Sequence, residues 1–100
     1  MAVVKLLPPA IADLQRLVEF LRDEDPQAAA ETVRIIFDAL RVLEKYPLIG
    51  RSIKRDRREL VIYRGRTGYL AQYHYEPGSD EVLVLAIRHQ REMDVTSTVQ

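Results

Sequence analysis

The second half of the chain contains three short apolar runs that are rich in β-branched, leucine and tyrosine residues. They cover residues 60–63, 69–75 and 82–87, and turn-forming segments separate them. Such runs bounded by glycine, proline, serine and aspartate are typical of strands. The short connections favour antiparallel pairing, so this half predicts a small antiparallel sheet.

In the first half, apolar residues recur at three- and four-residue intervals, the period of a helix that buries one face. One such stretch begins near residue 10, and a second runs from about residue 26 to residue 46. Asp25 suits the capping position of the second helix, and Pro26 suits its first position. The predicted buried faces carry Ile11, Leu14, Leu17, Val18 and Leu21 in the first helix, and Ala29, Val33, Ile36, Phe37, Leu40 and Leu43 in the second.

Residues 2–7 form a further apolar run, which Pro8 and Pro9 end. The predicted order is therefore β-α-α-β-β-β, an α+β fold in which an antiparallel two-helix hairpin packs on a small antiparallel sheet. We expect the first strand to lie beside the third or the last strand. Residues 1–100 are predicted to form a single domain, with a frayed tail from about residue 94 to residue 100.

Within the second run, a period of two places Tyr69, Tyr73 and Tyr75 on one face of a strand. These side chains either form an aromatic platform for nucleic-acid bases or cover the core beneath the helices. The core interpretation is favoured because a small sheet has to bury one face.

Composition excludes several classes of site. The chain has no cysteine, so disulfides, thiol nucleophiles and cysteine metal sites are absent. His74 and His89 are too isolated for metal-ligand spacing, and we expect neither metal nor cofactor. No apolar run approaches the roughly 18 residues of a membrane span, and no signal-type segment opens the chain. We therefore expect a cytoplasmic protein without a membrane partner.

Positive charge is concentrated between residues 51 and 66, although the formal net charge of the chain is zero. This segment is suited to meeting phosphate or an acidic partner, or it is a solvated basic loop. Its basic residues are Arg51, Lys54, Arg55, Arg57, Arg58, Arg64 and Arg66, against Asp56 and Glu59.

A second cationic group closes the last predicted strand, where His89 stands between Arg88 and Arg91. One interpretation is acid/base chemistry beside phosphate-binding arginines, as RNA cleavage needs. The other is that these residues cap the sheet edge and pair with carboxylates, for which the sequence offers Glu59, Glu92 and Asp94.

Four segments together resemble the RelE/ParE superfamily of small bacterial toxins from type II toxin–antitoxin systems, also called plasmid stabilisation systems. They are Leu-Glu-Lys-Tyr-Pro-Leu-Ile-Gly-Arg at 43–51, Arg-Glu-Leu-Val at 58–61, Gly-Tyr at 68–69 and Val-Leu-Ala-Ile-Arg-His-Gln-Arg-Glu at 84–92. The resemblance implies two helices on a small antiparallel sheet. It also implies one of two targets. RelE-like members cut mRNA in the ribosome with cationic and acid/base side chains on the sheet, whereas ParE-like members lack that set and poison DNA gyrase.

The segments Pro-Leu-Ile-Gly-Arg at 47–51 and Arg-Glu-Leu-Val at 58–61 favour the ParE-like branch, and the residues after His89 weaken the ribonuclease interpretation. Gln90 follows His89 where some ribonuclease members have a His-Tyr pair, and no tyrosine lies beyond Tyr75. A non-enzymatic gyrase poison is thus the first expectation. An mRNA endoribonuclease is the alternative, and a degenerate toxin that keeps only its antitoxin is a third. A ribonuclease would use Arg66, Arg88, His89 and Arg91, and the expected target-binding residues are Arg51, Lys54, Arg55, Arg58, Arg64 and Arg66.

The resemblance further implies a cognate antitoxin, a protein that forms a hetero-oligomer with the toxin. We expect an antitoxin segment to lie beside the first helix and across the sheet. Arg16, Phe20 and Asp23 flank the predicted buried face of that helix. Phe20 is the main candidate because it is a large apolar residue outside that face.

Overall fold

A computed structural model describes residues 1–90 and shows two helices packed on one face of a five-stranded sheet. The strand order is β1-β5-β4-β3-β2. The predicted α+β class and the helix hairpin are confirmed. Arg91 and the predicted tail at 94–100 lie outside the described residues. The elements are β1 (Val3–Leu6), α1 (Pro8–Glu24), α2 (Pro26–Val42), β2 (Arg51–Lys54), β3 (Arg57–Arg64), β4 (Thr67–Glu76) and β5 (Glu81–His89).

The sheet differs from the predicted one in two respects. The predicted order omitted β2, which lies in the segment interpreted as a basic loop, because three of its four residues are polar and give no apolar signal. Backbone pairing with β3 makes it an edge strand nonetheless. Strand β1 lies beside the last strand, as expected, but the pairing with β5 is parallel. The sheet is therefore mixed.

The junction between the helices follows the predicted capping chemistry. The Asp25 carboxylate accepts the backbone N–H of Gln27 at 3.0 Å, and Pro26 occupies the first turn of α2. Helix α2 ends at Val42, four residues before the predicted end, and a turn follows it. Pro47 prevents any continuation beyond Tyr46, because the residue before a proline is disfavoured in helical conformation.

The rotation of the helices corrects three predicted positions. Ile11 and Phe37 were expected in the core but are 44% and 42% exposed. Asp13, which the pattern places on the polar face of α1, is only 7% exposed. The reason is a hydrogen bond, since the Asp13 carboxylate accepts the backbone N–H of Ile87 at 3.0 Å. Helix α1 covers β5 where β1 has ended, and this carboxylate satisfies an amide that no strand pairs.

Two of the three tyrosines of β4 lie in the core and Tyr75 is partly buried against it, which confirms the core interpretation over the aromatic platform. Tyr69 and Tyr73 are fully buried among residues of the helices and β5. A bulge in the β4–β5 pairing makes Leu85 an extra residue, because Gln72 pairs with Ala86 and Tyr73 with Val84. The bulge shifts the alternation along β5 and allows residues 84 and 87 to be buried together.

The backbone at Gly50 lies in direct contact with a buried core residue. Its N–H donates to the hydroxyl of buried Tyr73 at 2.9 Å. Burial raises the pKa of that hydroxyl, and the Gly50 bond and Arg58 oppose the rise. A Cβ at position 50 would lie 2.7 Å from the Tyr73 hydroxyl oxygen and 2.9 Å from the Glu59 carbonyl oxygen. Only glycine fits there without displacement of its neighbours.

We therefore expect Gly50→Ala to lower the free energy of unfolding by about 1–3 kcal/mol, the usual cost of overpacking a core. Urea unfolding measures it. Gly78→Ala is the matched control, because the nearest atom to a Cβ there, Glu76 Oε1, is 3.4 Å away. Equal unfolding midpoints for the two variants would show that the Gly50–Tyr73 contact is loose.

Candidate functional site

Apart from Arg51, the basic residues of segment 51–66 fall into two separate groups, one at each end of β3. Arg88 and His89 of β5 join the second group. The turn cluster consists of Lys54, Arg55, Arg57 and Arg58 around the β2–β3 turn, and the far-end cluster consists of Arg64, Arg66, Arg88 and His89. An eight-residue strand separates them by about 23 Å. The segment therefore presents two cationic surfaces instead of the single patch expected.

Two of the predicted target-binding arginines hold the chain that enters β2. Arg51 contacts Glu59 Oε1 through Nη2 at 2.7 Å and through Nε at 3.0 Å. Glu59 is only 5% exposed, so Arg51 compensates a buried charge. Arg58 Nη1 donates to the carbonyl oxygens of Leu48 at 3.2 Å and Gly50 at 2.8 Å. Removing either side chain would therefore remove contacts that hold the folded domain together.

The rest of the turn cluster is exposed. Within residues 1–90, no hydrogen bond or ion pair engages the side chains of Lys54, Arg55 or Arg57. Arg55 and Arg57 line an open cleft of about 330 Å³ between the β2–β3 turn and the end of β4. This cleft is the concave surface at which the cationic side chains converge.

His74 faces this cleft from β4 and was missed in the sequence. Its Nδ1 lies 2.7 Å from the Asp56 carbonyl oxygen, and its Nε2 lies 3.4 Å from Glu76 Oε2. The hydrogen bond to the Asp56 carbonyl raises the pKa of His74 above its ordinary value of 6.5, and Glu76 adds to the rise. The protonated ring donates from both nitrogens and ties the β2–β3 turn to β4. Alternation alone placed His74 away from the core but could not bring the turn beside it.

The far-end cluster is largely occupied by contacts within the protein. Arg88 Nε lies 3.6 Å from Asp13 Oδ2, and Arg16 Nη2 lies 3.3 Å from Asp13 Oδ1. The partner expected for the arginine was Glu59 or a later carboxylate, but Glu59 pairs with Arg51. Arg64 Nε lies 3.8 Å from Glu31 Oε1 on α2.

His89 and Arg88 lie on opposite faces of β5, because consecutive strand residues alternate. The His89 ring meets the Tyr69 ring edge-on at a centroid distance of 5.4 Å. Arg66 lies in the exposed β3–β4 turn. The described members of the predicted ribonuclease set thus share one end of the sheet but do not converge on one point. Arg91 cannot be placed because it lies outside residues 1–90.

The residues expected to meet an antitoxin are all exposed on α1. Phe20 is 62% exposed, as its position outside the apolar face predicted. Asp23 lies near the end of the same helix, and Arg16 is held by Asp13. Phe20 is therefore a large apolar side chain that the domain itself leaves exposed.

Two further properties concern the described part of the chain. Across residues 1–90, no group of three or more histidine, aspartate or glutamate side chains is arranged to hold a metal ion. No helix in that range is both long enough and apolar enough to cross a membrane.

Comparison with known proteins identifies the family. The model of the family described as ParE toxin of type II toxin-antitoxin system, parDE, matches residues 4–94. The chain belongs to the ParE toxin family. It is thus a toxin of the RelE/ParE superfamily. The match spans the helix hairpin and all five strands, so the family assignment covers the fold described above.

Curated relatives carry the names of the other branch. Toxin RelE3 of Caulobacter vibrioides is 34% identical over 92 residues, which cover 92% of this chain and 98% of the relative. Toxin RelE1 of the same organism is 36% identical over 61 residues, or 61% of this chain and 66% of the relative. ParE and RelE names both occur among the matches, so the names do not distinguish the targets.

Solved structures share the fold. A chain from the chromosomal ParDE TA system of P. aeruginosa aligns with a TM-score of 0.73 at 22% identity, covering 89% of this chain and 96% of that one. A chain of the RelBE2 toxin-antitoxin complex from Mycobacterium tuberculosis aligns with a TM-score of 0.57 at 24% identity, covering 89% and 98%. At these identities the likeness establishes the architecture.

The Asp13 contacts predict a graded decrease in stability. We expect Asp13→Ala to lower the free energy of unfolding by about 1–3 kcal/mol, because the Ile87 N–H is then left without its acceptor in a buried position. Asp13→Asn keeps a carbonyl oxygen for that amide and should cost less. Chemical unfolding measures both, with exposed Asp23→Ala as the control, expected within about 0.5 kcal/mol of wild type. If Asp13→Ala matched Asp23→Ala, the helix–strand contact would contribute nothing.

Proposed function

We propose that this toxin acts by binding DNA gyrase and trapping its complex with DNA, and that a cognate antitoxin silences it. The ParE-like features at residues 47–51 and 58–61 and the match to the ParE toxin family motivate the target. Gyrase poisoning requires only that the toxin bind its target, so no catalytic residue is assigned.

The surface of the sheet that the helices leave uncovered carries this proposal. Val61 and Tyr63 lie on that face by alternation with the core residues of β3, and Tyr63 is 67% exposed. RNA cleavage needs cationic and acid/base groups that converge on one phosphate. Within the described residues, the side chains that a ribonuclease was expected to use do not converge in this way, because Arg88 and His89 lie on opposite faces of β5 and Asp13 engages Arg88.

The turn cluster and Arg66 supply the cationic contacts of the proposed target surface. Lys54, Arg55 and Arg66 are exposed, whereas Arg51, Arg58 and Arg64 have contacts within the domain. The first three are therefore the better sites for testing target binding, because their replacement leaves the core intact.

A pair of purified assays tests the target. With gyrase, ATP and supercoiled plasmid, the toxin should cause linear DNA to accumulate after detergent and protease treatment. With programmed ribosomes it should leave the mRNA intact. His89→Ala should change gyrase poisoning by no more than about twofold, because His89 has no chemical role in this mechanism.

The opposite pattern would reverse the assignment. A ribonuclease that uses His89 as acid or base would lose about 100-fold or more of its rate in His89→Ala. Cleavage of mRNA on ribosomes by the wild-type protein, abolished in that variant, would establish the RelE-like alternative. Activity in neither assay would leave a degenerate toxin that keeps only its antitoxin.

The proposed antitoxin contact is on α1, where Arg16, Phe20 and Asp23 are exposed. The P. aeruginosa and M. tuberculosis relatives come from a toxin–antitoxin system and a toxin–antitoxin complex. An amphipathic antitoxin segment that lies along α1 would bury the Phe20 ring, and buried aromatic residues dominate the affinity of many interfaces.

Phe20→Asp should weaken antitoxin binding by at least about tenfold, the scale for removal of an aromatic anchor. The melting temperature of the free toxin should stay unchanged, since the ring is largely exposed. Isothermal titration with the antitoxin encoded beside the toxin measures the affinity. Glu19→Gln, an exposed change at the neighbouring position, is the control. Unaltered affinity for Phe20→Asp would remove α1 from the interface, and unfolding of the variant would place Phe20 in the core.

A further inference from the structure

The open cleft beside the β2–β3 turn is assembled from two walls of different chemistry. Arg55, Arg57 and Arg58 line one side, and His74 and Tyr75 line the other. The two walls come from segments about 20 residues apart in the sequence, and the β3–β4 pairing brings them together. The cleft is therefore a product of the fold and not of one basic run.

The arginine wall has hydrogen-bond donors available. Within residues 1–90, Arg55 and Arg57 make no ion pair or hydrogen bond through their side chains. Arg58 uses Nη1 for the Leu48 and Gly50 carbonyls, which fixes its position and leaves the Nε and Nη2 donors. A planar guanidinium held in this way matches the geometry of a phosphate group.

The acidic groups near the cleft do not cancel this charge. Asp56 is the one carboxylate among its lining residues. Glu76 faces His74, and the protonated imidazole compensates its charge. Glu81, opposite Glu76 in the β4–β5 pairing, is bound by Lys5. With His74 protonated, three arginines therefore face one uncompensated aspartate.

The cleft lacks a surface on which a base could stack. Tyr75 is its single aromatic ring apart from His74, and the Tyr75 hydroxyl donates to Asp80 Oδ1 at 2.7 Å, which fixes the ring at the β4–β5 turn. Base recognition by single-strand binders depends on exposed aromatic platforms. Cationic side chains in an open cleft instead suit a repeating, sequence-independent phosphate backbone.

We propose that this cleft binds the phosphate backbone of a nucleic acid, with Arg55, Arg57 and Arg58 as direct ligands and His74 as a positioning residue that holds the turn. The inference rests on the proposed function in one respect: if the toxin acts on gyrase, the backbone that reaches the cleft belongs to the DNA that gyrase holds. Binding to free DNA is measurable without gyrase, so the two can fail separately.

The proposal fixes a direction for pH. Protonated His74 bonds both the Asp56 carbonyl and the Glu76 carboxylate, whereas the neutral ring can donate from one nitrogen only. Deprotonation removes the positive charge of the ring and its bond to Glu76, because the neutral ring keeps its single N–H for the nearer Asp56 carbonyl, and it uncovers the Glu76 charge. Affinity for a phosphate backbone should therefore rise as pH falls through the pKa of His74, which lies above 6.5.

Fluorescence anisotropy with a labelled duplex DNA at low salt tests the ligands. The double variant Arg55→Gln/Arg57→Gln should bind at least about tenfold more weakly. The slope of the logarithm of its binding constant against the logarithm of salt concentration should also be shallower, by about 0.9 for each phosphate that the protein no longer neutralises. Arg22→Gln/Arg41→Gln removes the same charge from exposed positions on the two helices. That control should stay within about twofold of wild type.

A second comparison tests His74. Between about pH 8.5 and about pH 6 the affinity of the wild-type protein for DNA should increase several-fold. The affinity of His74→Gln should increase less over the same range than that of the Arg22→Gln/Arg41→Gln control, which keeps His74. Gln keeps a hydrogen-bonding side chain, so the circular dichroism spectrum should be unchanged. A pH response retained in full by His74→Gln would overturn the positioning role.

The remaining outcomes separate the sources of phosphate. Comparable binding of single-stranded RNA of equal length supports a backbone site, because no base is read. Displacement of DNA by inorganic phosphate at micromolar concentration would overturn the backbone assignment in favour of a free anion. Equal decreases in affinity for the two double variants would show a non-specific effect of net charge and would also overturn it. DNA binding without gyrase poisoning would refute the proposed target and leave the cleft intact.

Discussion

The hydrogen bond from the Gly50 amide to the Tyr73 hydroxyl determines how the chain leaves the helices and enters the sheet. It brings the backbone into contact with a buried ring, which is possible because position 50 has no Cβ. Arg58 then binds the carbonyl of the same glycine, and Arg51 covers buried Glu59. These contacts fix the start of β2, and the position of the β2–β3 turn and its arginines follows from them.

Periodicity predicted the elements whose residues bury apolar surface on one side. The two helices, the capping by Asp25 and the burial of Tyr69 and Tyr73 follow from local chemistry and from the need of a small sheet for cover. Periodicity could not predict positions that are determined by polar contacts. Asp13 reads as a surface residue, yet it is buried because it accepts the Ile87 amide, and that partner is 74 residues away. Residues 82–87 are all apolar, so no pattern could reveal the bulge at Leu85.

The cationic residues of the candidate site were identifiable by type, but their grouping depended on the fold. A continuous run from Arg51 to Arg66 reads as one patch, whereas β3 carries its two ends to opposite edges of the domain. Arg51 and Arg58 look like free surface charges and instead hold the backbone. His74 contributes to the cleft only because β3–β4 pairing brings Asp56 to its ring. The charged residues are therefore evident from the sequence, whereas long-range strand pairing determines which of them are exposed to solvent.

The parallel pairing of β1 with β5 delays completion of the sheet while the protein is being synthesised. Strand β1 finds its partner only when the first half of β5 has been synthesised, since Val3 pairs with Glu81 and Leu6 with Val84. At about 5–20 residues per second, translation of the intervening segment takes about 4–16 s. During that interval the sheet lacks its internal strand β5, which lies between β1 and β4. A nascent toxin therefore lacks its complete sheet until β5 has been synthesised, and the cell that makes it is exposed to the folded domain only after that point.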